Sequence, residues 1–221
     1  MRNGQRQPDF CAILQRMPAN LSVSFIHKPI MSDVKGDMTM TKTLNFAAIS
    51  GSLRKGSHST SVADTLQELV PEGVTVTRHD IDDIPLYNED IKDGDTSPQA
   101  VRDLAGKLAA ADAIIVVSPE YNRGTSGVLK NTIDWMSKEP NAPFSGKPTL
   151  IITQSPGATA GLTAHYDLRQ VLSVINASVQ PGFEIAIGGS AGKIEDGKLT
   201  DSDTRDFITK QLKRLTETAK G

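Results

Sequence analysis

The residues best suited to chemistry lie in three short segments rich in hydroxyls, small residues and a few charges. The first is Gly51-Ser52-Leu53-Arg54-Lys55-Gly56-Ser57-His58-Ser59-Thr60. It follows a short apolar run and precedes a helical pattern. Such a loop presents free backbone N–H groups and the positive end of a helix dipole, which together favour an anion. Ser52, Ser57, Ser59 and Thr60 add hydroxyls and Arg54 adds a cation. This cradle suits a terminal monophosphate, whose oxygens accept several hydrogen bonds. Spacing excludes two commoner devices. A dinucleotide fingerprint needs G-x-G-x-x-G, and Leu53 stands at its second glycine. Gly51 and Gly56 are spaced as in a P-loop, but Ser57 replaces its lysine. The competing reading is a Ser/Gly loop that only caps a helix.

The second segment, Ser118-Pro119-Glu120-Tyr121-Asn122-Arg123-Gly124-Thr125-Ser126-Gly127, also follows an apolar run. Its backbone can approach the edge of a flat ring, with Glu120 and Asn122 as polar groups. Tyr121 either covers a ring or packs a subunit boundary. The third segment, Gln154-Ser155-Pro156-Gly157-Ala158-Thr159-Ala160-Gly161, again joins a strand to a helix through small residues. Small side chains let a flat ligand come close to the backbone.

Other candidates carry less. The four histidines, His27, His58, His79 and His165, show no ligand spacing. His58 reads as solvent-exposed rather than phosphate-bound, and Trp135 as a packing residue rather than a stacking platform. Asp80, at the head of Asp80-Ile81-Asp82-Asp83, reads as a strand end that solvates a loop. No G-x-S-x-G elbow marks a serine nucleophile.

Periodicity supplies the elements that hold these segments. Apolar runs at Leu44–Ser50, Ala113–Ser118 and Pro148–Thr153 read as buried strands, Val74–His79 as an alternating one, and a fifth lies near Phe183–Ile187. Helical patterns run over about Ser59–Leu69, Pro98–Ala110, Ser126–Met136, Ala164–Val174 and Asp203–Ala219. Five strands alternating with five helices predict an open parallel α/β sheet covered on both faces. Ligands in such sheets bind at the carboxyl ends of the strands. All three chemical segments occupy that edge.

Residues 1–42 break the pattern. They mix Gln, Asn, Pro and Met without a sustained period, so they read as a disordered or mis-started extension ahead of one domain, 43–221. They lack the long apolar stretch of a secretory signal; Arg2, Arg6 and Arg16 against Asp9 would suit an organellar presequence, although its amphipathic pattern is poor.

The chain has 221 residues, 24 Lys+Arg against 26 Asp+Glu, and a net charge of −2. That balance argues against a nucleic-acid partner. No apolar stretch is long enough for a membrane span, so no membrane partner is expected. Cys11 is the single cysteine, which excludes an intramolecular disulfide and any multi-thiolate metal site. The composition reads as cytoplasmic.

GSLRKGS, SPEYN followed by KNTIDW, and QSPGATAG followed by LRQ resemble the NADPH-dependent FMN reductase family, on its bacterial chromate and quinone reductase side. The resemblance spans about residues 43–218. It implies a flavodoxin-like three-layer sandwich on a five-stranded parallel sheet, with non-covalent FMN. It also implies that Ser52, Arg54, Ser57 and Ser59, with Thr60 beside them, hold the ribityl phosphate. Pro119, Glu120, Tyr121 and Asn122 would line the isoalloxazine edge, with Ser155 and Gly157 on the ring's other side. Relatives often carry Asn at Ser59, and Tyr-Ser where this chain has Arg123-Gly124. The implied activity passes hydride from NADPH or NADH through FMN to a small-molecule acceptor. Quinones, azo compounds, free flavin and oxidised metal ions such as chromate are the acceptor classes. No side chain is assigned as acid or base, because the flavin carries the chemistry. A homodimer or homotetramer is implied as well. The alternative is a non-catalytic flavodoxin-type electron carrier, which would want a strongly acidic docking face.

Overall fold

A computed structural model describes residues 43–221, so the expectation for the N-terminal extension lies outside the described residues. The strands are β1 (Leu44–Ser50), β2 (Val74–His79), β3 (Ala113–Tyr121), β4 (Gly124–Thr125), β5 (Pro148–Ser155), β6 (Ser178–Val179), β7 (Ile185–Gly188), β8 (Ile194–Glu195) and β9 (Lys198–Leu199). The helices are α1 (His58–Thr65), α2 (Gln99–Ala110), α3 (Gly127–Met136), α4 (Leu162–Val174) and α5 (Ser202–Lys220).

The main sheet runs β2-β1-β3-β5-β6, parallel throughout, with β7 also paired to β5 and β4 folded back antiparallel on β3. It has seven strands where five were expected. Two local causes account for the difference. The fifth position is split, because Pro181, which has no N–H to donate, and Gly182, at φ +116°, separate β6 from β7. The added β4 comes from a tight hairpin, in which Tyr121 pairs with Gly124 across Asn122 and Arg123. Both turn residues have positive φ, +50° and +67°, as a two-residue turn matched to strand twist requires.

Alternation along the buried strands builds two cores. Phe46, Ala48, Ile115, Val117 and Ile152 pack with Val62 and Leu66 at α1 and with Ile208, Leu212 and Leu215 of α5. Ala47, Ile49, Ile114, Val116 and Ile151 face the other way, onto Leu104, Leu108, Ile133, Trp135, Leu168 and Leu172 of α2, α3 and α4. The result is the expected three-layer sandwich. Trp135 is a packing residue, fully buried, with its indole N–H donating to the Pro85 carbonyl at 2.8 Å.

Several element boundaries move: β3 runs on to Tyr121, β5 runs on to Ser155 and α4 begins at Leu162. The first helix stops at Thr65 and tightens into a 3-10 turn over Leu66–Glu68. Phe183 stands outside β7 and is 78% exposed, because the strand begins only at Ile185.

Candidate functional site

The loop after β1 turns sharply into α1. Gly51 N–H donates to the Val117 carbonyl at 2.8 Å, and a Cβ on Gly51 would lie only 2.9 Å from Ser126 Oγ. No larger residue fits without moving α3. The chain then bends through Gly56, at φ +64°, to Ser57 in the cap position of α1. The Ser57 hydroxyl caps nothing, although the residue is only 2% exposed. The backbone N–H groups of His58, Ser59 and Thr60 also find no acceptor among the described residues. Arg54 is exposed, and the only hydrogen bond of its side chain among the described residues runs from Nη1 to the Lys55 carbonyl at 3.2 Å. This end of α1 therefore points several donors and one cation at open space, with no acidic residue in the first turn.

A cavity of about 200 Å³ lies there, lined by Ser52, Arg54, Ser57, His58, Pro119, Glu120, Tyr121, Gln154 and Pro156. Six of the eleven residues expected from sequence meet on its wall. Ser59 does not. It is fully buried one layer behind, where its hydroxyl accepts from Gln154 Nε2 at 2.9 Å. Thr60 turns to Ser50, hydroxyl to hydroxyl at 3.0 Å, on a neighbouring cavity of about 260 Å³ that also includes Arg54, Lys55, Arg78, His79 and Asp80. Burial holds the His79 imidazole below its ordinary pKa, with Lys107 acting the same way and Asp80 opposing. Asn122 sits exposed on the hairpin turn. Ser155 closes a local turn by accepting from Gly157 N–H at 3.1 Å, beside Pro156 of the cavity wall.

Two residues on the β3 side have visible constraints. Glu120 accepts from the N–H groups of Thr163 and Ala164, at 3.0 and 3.2 Å, and lies 3.3 Å from the Thr159 hydroxyl. It thus supplies the anionic cap that Gly161, at the cap position of α4, lacks. Tyr121 is half-exposed, with its hydroxyl 3.5 Å from Ser52 Oγ.

Sequence reasoning missed three participants. His58 is half-buried rather than solvent-exposed, because its Nδ1 lies 3.0 Å from Ser190 Oγ. Ser190 in turn donates to Gln154 Oε1 at 2.8 Å. The available signals were Gln154, a lone amide closing an apolar strand, and Gly188-Gly189-Ser190, which ends another strand at the same sheet edge. No group of three or more His, Cys, Asp or Glu among the described residues could hold a metal ion.

The sequence profile of the NADPH-dependent FMN reductase family matches residues 44–192. A quinone reductase of Escherichia coli strain K12 is 39% identical over 176 residues, spanning 78% of this chain and 94% of that protein. An NAD(P)H-dependent FMN reductase of Pseudomonas aeruginosa is 38% identical over 177 residues, spanning 80% of this chain and 95% of its own. The solved structure of FerB, a flavoenzyme NAD(P)H:acceptor oxidoreductase from Paracoccus denitrificans, superposes with a TM-score of 0.71. It is 28% identical and covers 80% of this chain and 97% of its own.

Proposed function

The chain belongs to the NADPH-dependent FMN reductase family, and from that premise we propose how its own residues serve the chemistry. It is an FMN-dependent NAD(P)H oxidoreductase of the quinone reductase kind. When bound, FMN supplies the hydride and electron transfer from nicotinamide to acceptor.

The residues fit the phosphate end of that group. The Ser57 hydroxyl, without a partner among the described residues, lines one cavity with His58 at the start of α1 and with Arg54, and this meeting carries the reading. Ser52 joins them from the same loop. In this reading Ser59 acts from behind, by fixing Gln154, and Thr60 stiffens the loop through Ser50. Pro119, Glu120, Tyr121 and Asn122 border the ring system along β3 and its hairpin, with Ser155 and Gly157 on the opposite side. Glu120 is tied to the N-terminus of α4, so its part is to hold the β3 and β5 sides of the site at a fixed spacing.

Quinones are the acceptor class that the relatives' names support. Azo compounds, free flavin and oxidised metal ions such as chromate are further candidates, because the flavin rather than any side chain carries the electrons. No helix among the described residues is long and apolar enough to cross a membrane, in keeping with a proposed cytoplasmic setting. A homodimer or homotetramer completes the proposal.

The test is the absorbance spectrum of the purified protein, followed by anaerobic titration with NADPH. A flavin spectrum that bleaches with NADPH and returns on adding a quinone is expected. Colourless protein that takes up no FMN, or bound flavin indifferent to NADPH and NADH, would overturn the reading.

A further inference from the structure

His58 stands at the first position of α1 and shares the cavity with Arg54, Ser57 and Tyr121. Its ring is tied by a directed chain of hydrogen bonds. Gln154 Nε2 donates to Ser59 Oγ at 2.9 Å, which leaves Oε1 as the amide's acceptor. Ser190 Oγ donates its one proton to that Oε1 at 2.8 Å. Ser190 therefore has only lone pairs left for His58 Nδ1, 3.0 Å away, and Nδ1 must carry the proton. The direction of the chain thus selects the tautomer. Nε2 has no partner among the described residues. In the neutral ring it is a bare lone pair, and in the charged ring it is an N–H donor.

The surroundings are built for an anion. Among the described residues the nine-tenths-buried Ser57 hydroxyl, on the wall of the same cavity, has no partner, and three backbone N–H groups of α1 have no acceptor. The charged or titratable groups sharing the cavity are Arg54, on the same loop, and Glu120 and Tyr121, on β3. Glu120 is engaged by the N–H groups of α4. From the other elements, the groups that meet the chain are neutral, Gln154 on β5 and Ser190 after β7. Lys193, three residues beyond, is held by Thr204 and Asp201.

We propose that His58 is a proton-linked ligand for a phosphate monoester, oriented by the Ser190–Gln154–Ser59 chain. Anion binding draws a proton onto Nε2, which then donates to a phosphate oxygen. The proposal rests on the FMN-binding reading for the identity of the natural ligand, but not for the presence of the anion site. A neutral ring cannot donate from Nε2, so affinity for the phosphate falls as the pH rises and His58 loses its proton. A charge-assisted hydrogen bond corresponds to roughly ten- to hundred-fold in affinity.

Two measurements on the full-length apoprotein test this. In the first, FMN and riboflavin are titrated by fluorescence at pH 6.5 and 8.5 into the wild type, His58→Gln and Ser190→Ala, each checked for folding by circular dichroism. The expected result is a ten-fold or larger advantage of wild type over His58→Gln for FMN at pH 6.5, shrinking to within about two-fold at pH 8.5. Riboflavin should show no such difference, and Ser190→Ala should lie in between. Equal FMN profiles in wild type and His58→Gln, or the same change with riboflavin, would overturn the proposal and leave flavin binding intact. The second measurement follows the imidazole of His58 by NMR as inorganic phosphate is added. An upward move of its titration midpoint with phosphate supports the proposal even if FMN fails to bind, an outcome that would overturn the flavin reading alone. An unmoved midpoint, or a resting ring protonated at Nε2 rather than Nδ1, would overturn the proposal.

Discussion

The Arg54 side chain makes a single hydrogen bond among the described residues, to the Lys55 carbonyl, and its residue lines the cavity. That separates its binding role from any role in stability, since truncation breaks no buried contact. Arg54→Ala should weaken FMN about ten- to hundred-fold, the range for losing one charge-assisted hydrogen bond, and leave riboflavin unchanged. Fluorescence titration of both ligands checks it, and equal FMN affinity would remove Arg54 from the phosphate site. His165 is the opposite case, a group with consequences for stability alone. It is 1% exposed in α4, and its Nδ1 has no partner among the described residues. Burial, helped by Arg169, pushes its pKa from 6.5 to about 4, while Glu184 and the Ile151 backbone act the other way. The ring is therefore neutral when folded and takes up its proton at a higher pH when unfolded. Its contribution is complete above about pH 6.5 and is lost as the pH falls towards 4. The full loss amounts to about 3 kcal/mol, most of it incurred by pH 4.5. Urea unfolding at pH 7 and pH 4.5 should show that loss in the wild type and a smaller one in His165→Leu.

At the scale of elements, the hairpin between β3 and β4 joins local conformation to substrate choice. Arg123 lies at φ +67°, where a side chain is strained and glycine is not. Arg123→Gly should raise stability by about 0.5–1 kcal/mol, readable as a higher midpoint in urea. The same change removes an exposed cation from the loop edge. If Arg123 helps recognise the adenosine 2′-phosphate, the preference for NADPH over NADH should fall by three- to ten-fold, the low end for a solvent-screened contact. Steady-state kinetics with both nucleotides decide it, and an unchanged ratio would leave Arg123 as a solvated rim residue. This hairpin also shows what a linear reading can and cannot reach. Continuous runs such as Ala113–Val117 were legible because burial on both sheet faces demands uninterrupted apolar residues. The reversal at Asn122-Arg123 lacks the usual Asn-Gly signal, so β4 was invisible. The site divided in the same way. Loops at strand ends announced themselves by composition. The chain from Ser59 through Gln154 and Ser190 to His58 did not, because it joins residues up to 132 positions apart.

At the scale of the whole molecule, the described domain leaves one apolar side uncovered. Leu162 and Tyr166 lie one turn apart on α4, and both are exposed. The hairpin carrying the half-exposed Tyr121 is fastened beside them, since Thr125 N–H donates to Asp167 of α4 at 2.8 Å. Glu184, next to the exposed Phe183 in sequence, is held below its ordinary pKa by its own backbone N–H and by the Tyr166 hydroxyl. An exposed patch with two tyrosines, a leucine and a phenylalanine is the composition of an interface rather than of a free surface. Symmetric pairing of like patches is the common solution. Burying each of these side chains contributes about 1.5–3 kcal/mol, and Tyr121 would carry the interface to the cavity mouth. Light scattering at micromolar concentration should therefore report a dimer or tetramer. Leu162→Glu combined with Tyr166→Glu should give a folded monomer, because two carboxylates cannot enter the contact unpaired. That monomer should retain the phosphate cradle, which lies on the β1 loop, and lose turnover through an uncovered ring site. A monomeric wild type with full activity would remove the interface, and a double variant that stays oligomeric would move it to another face.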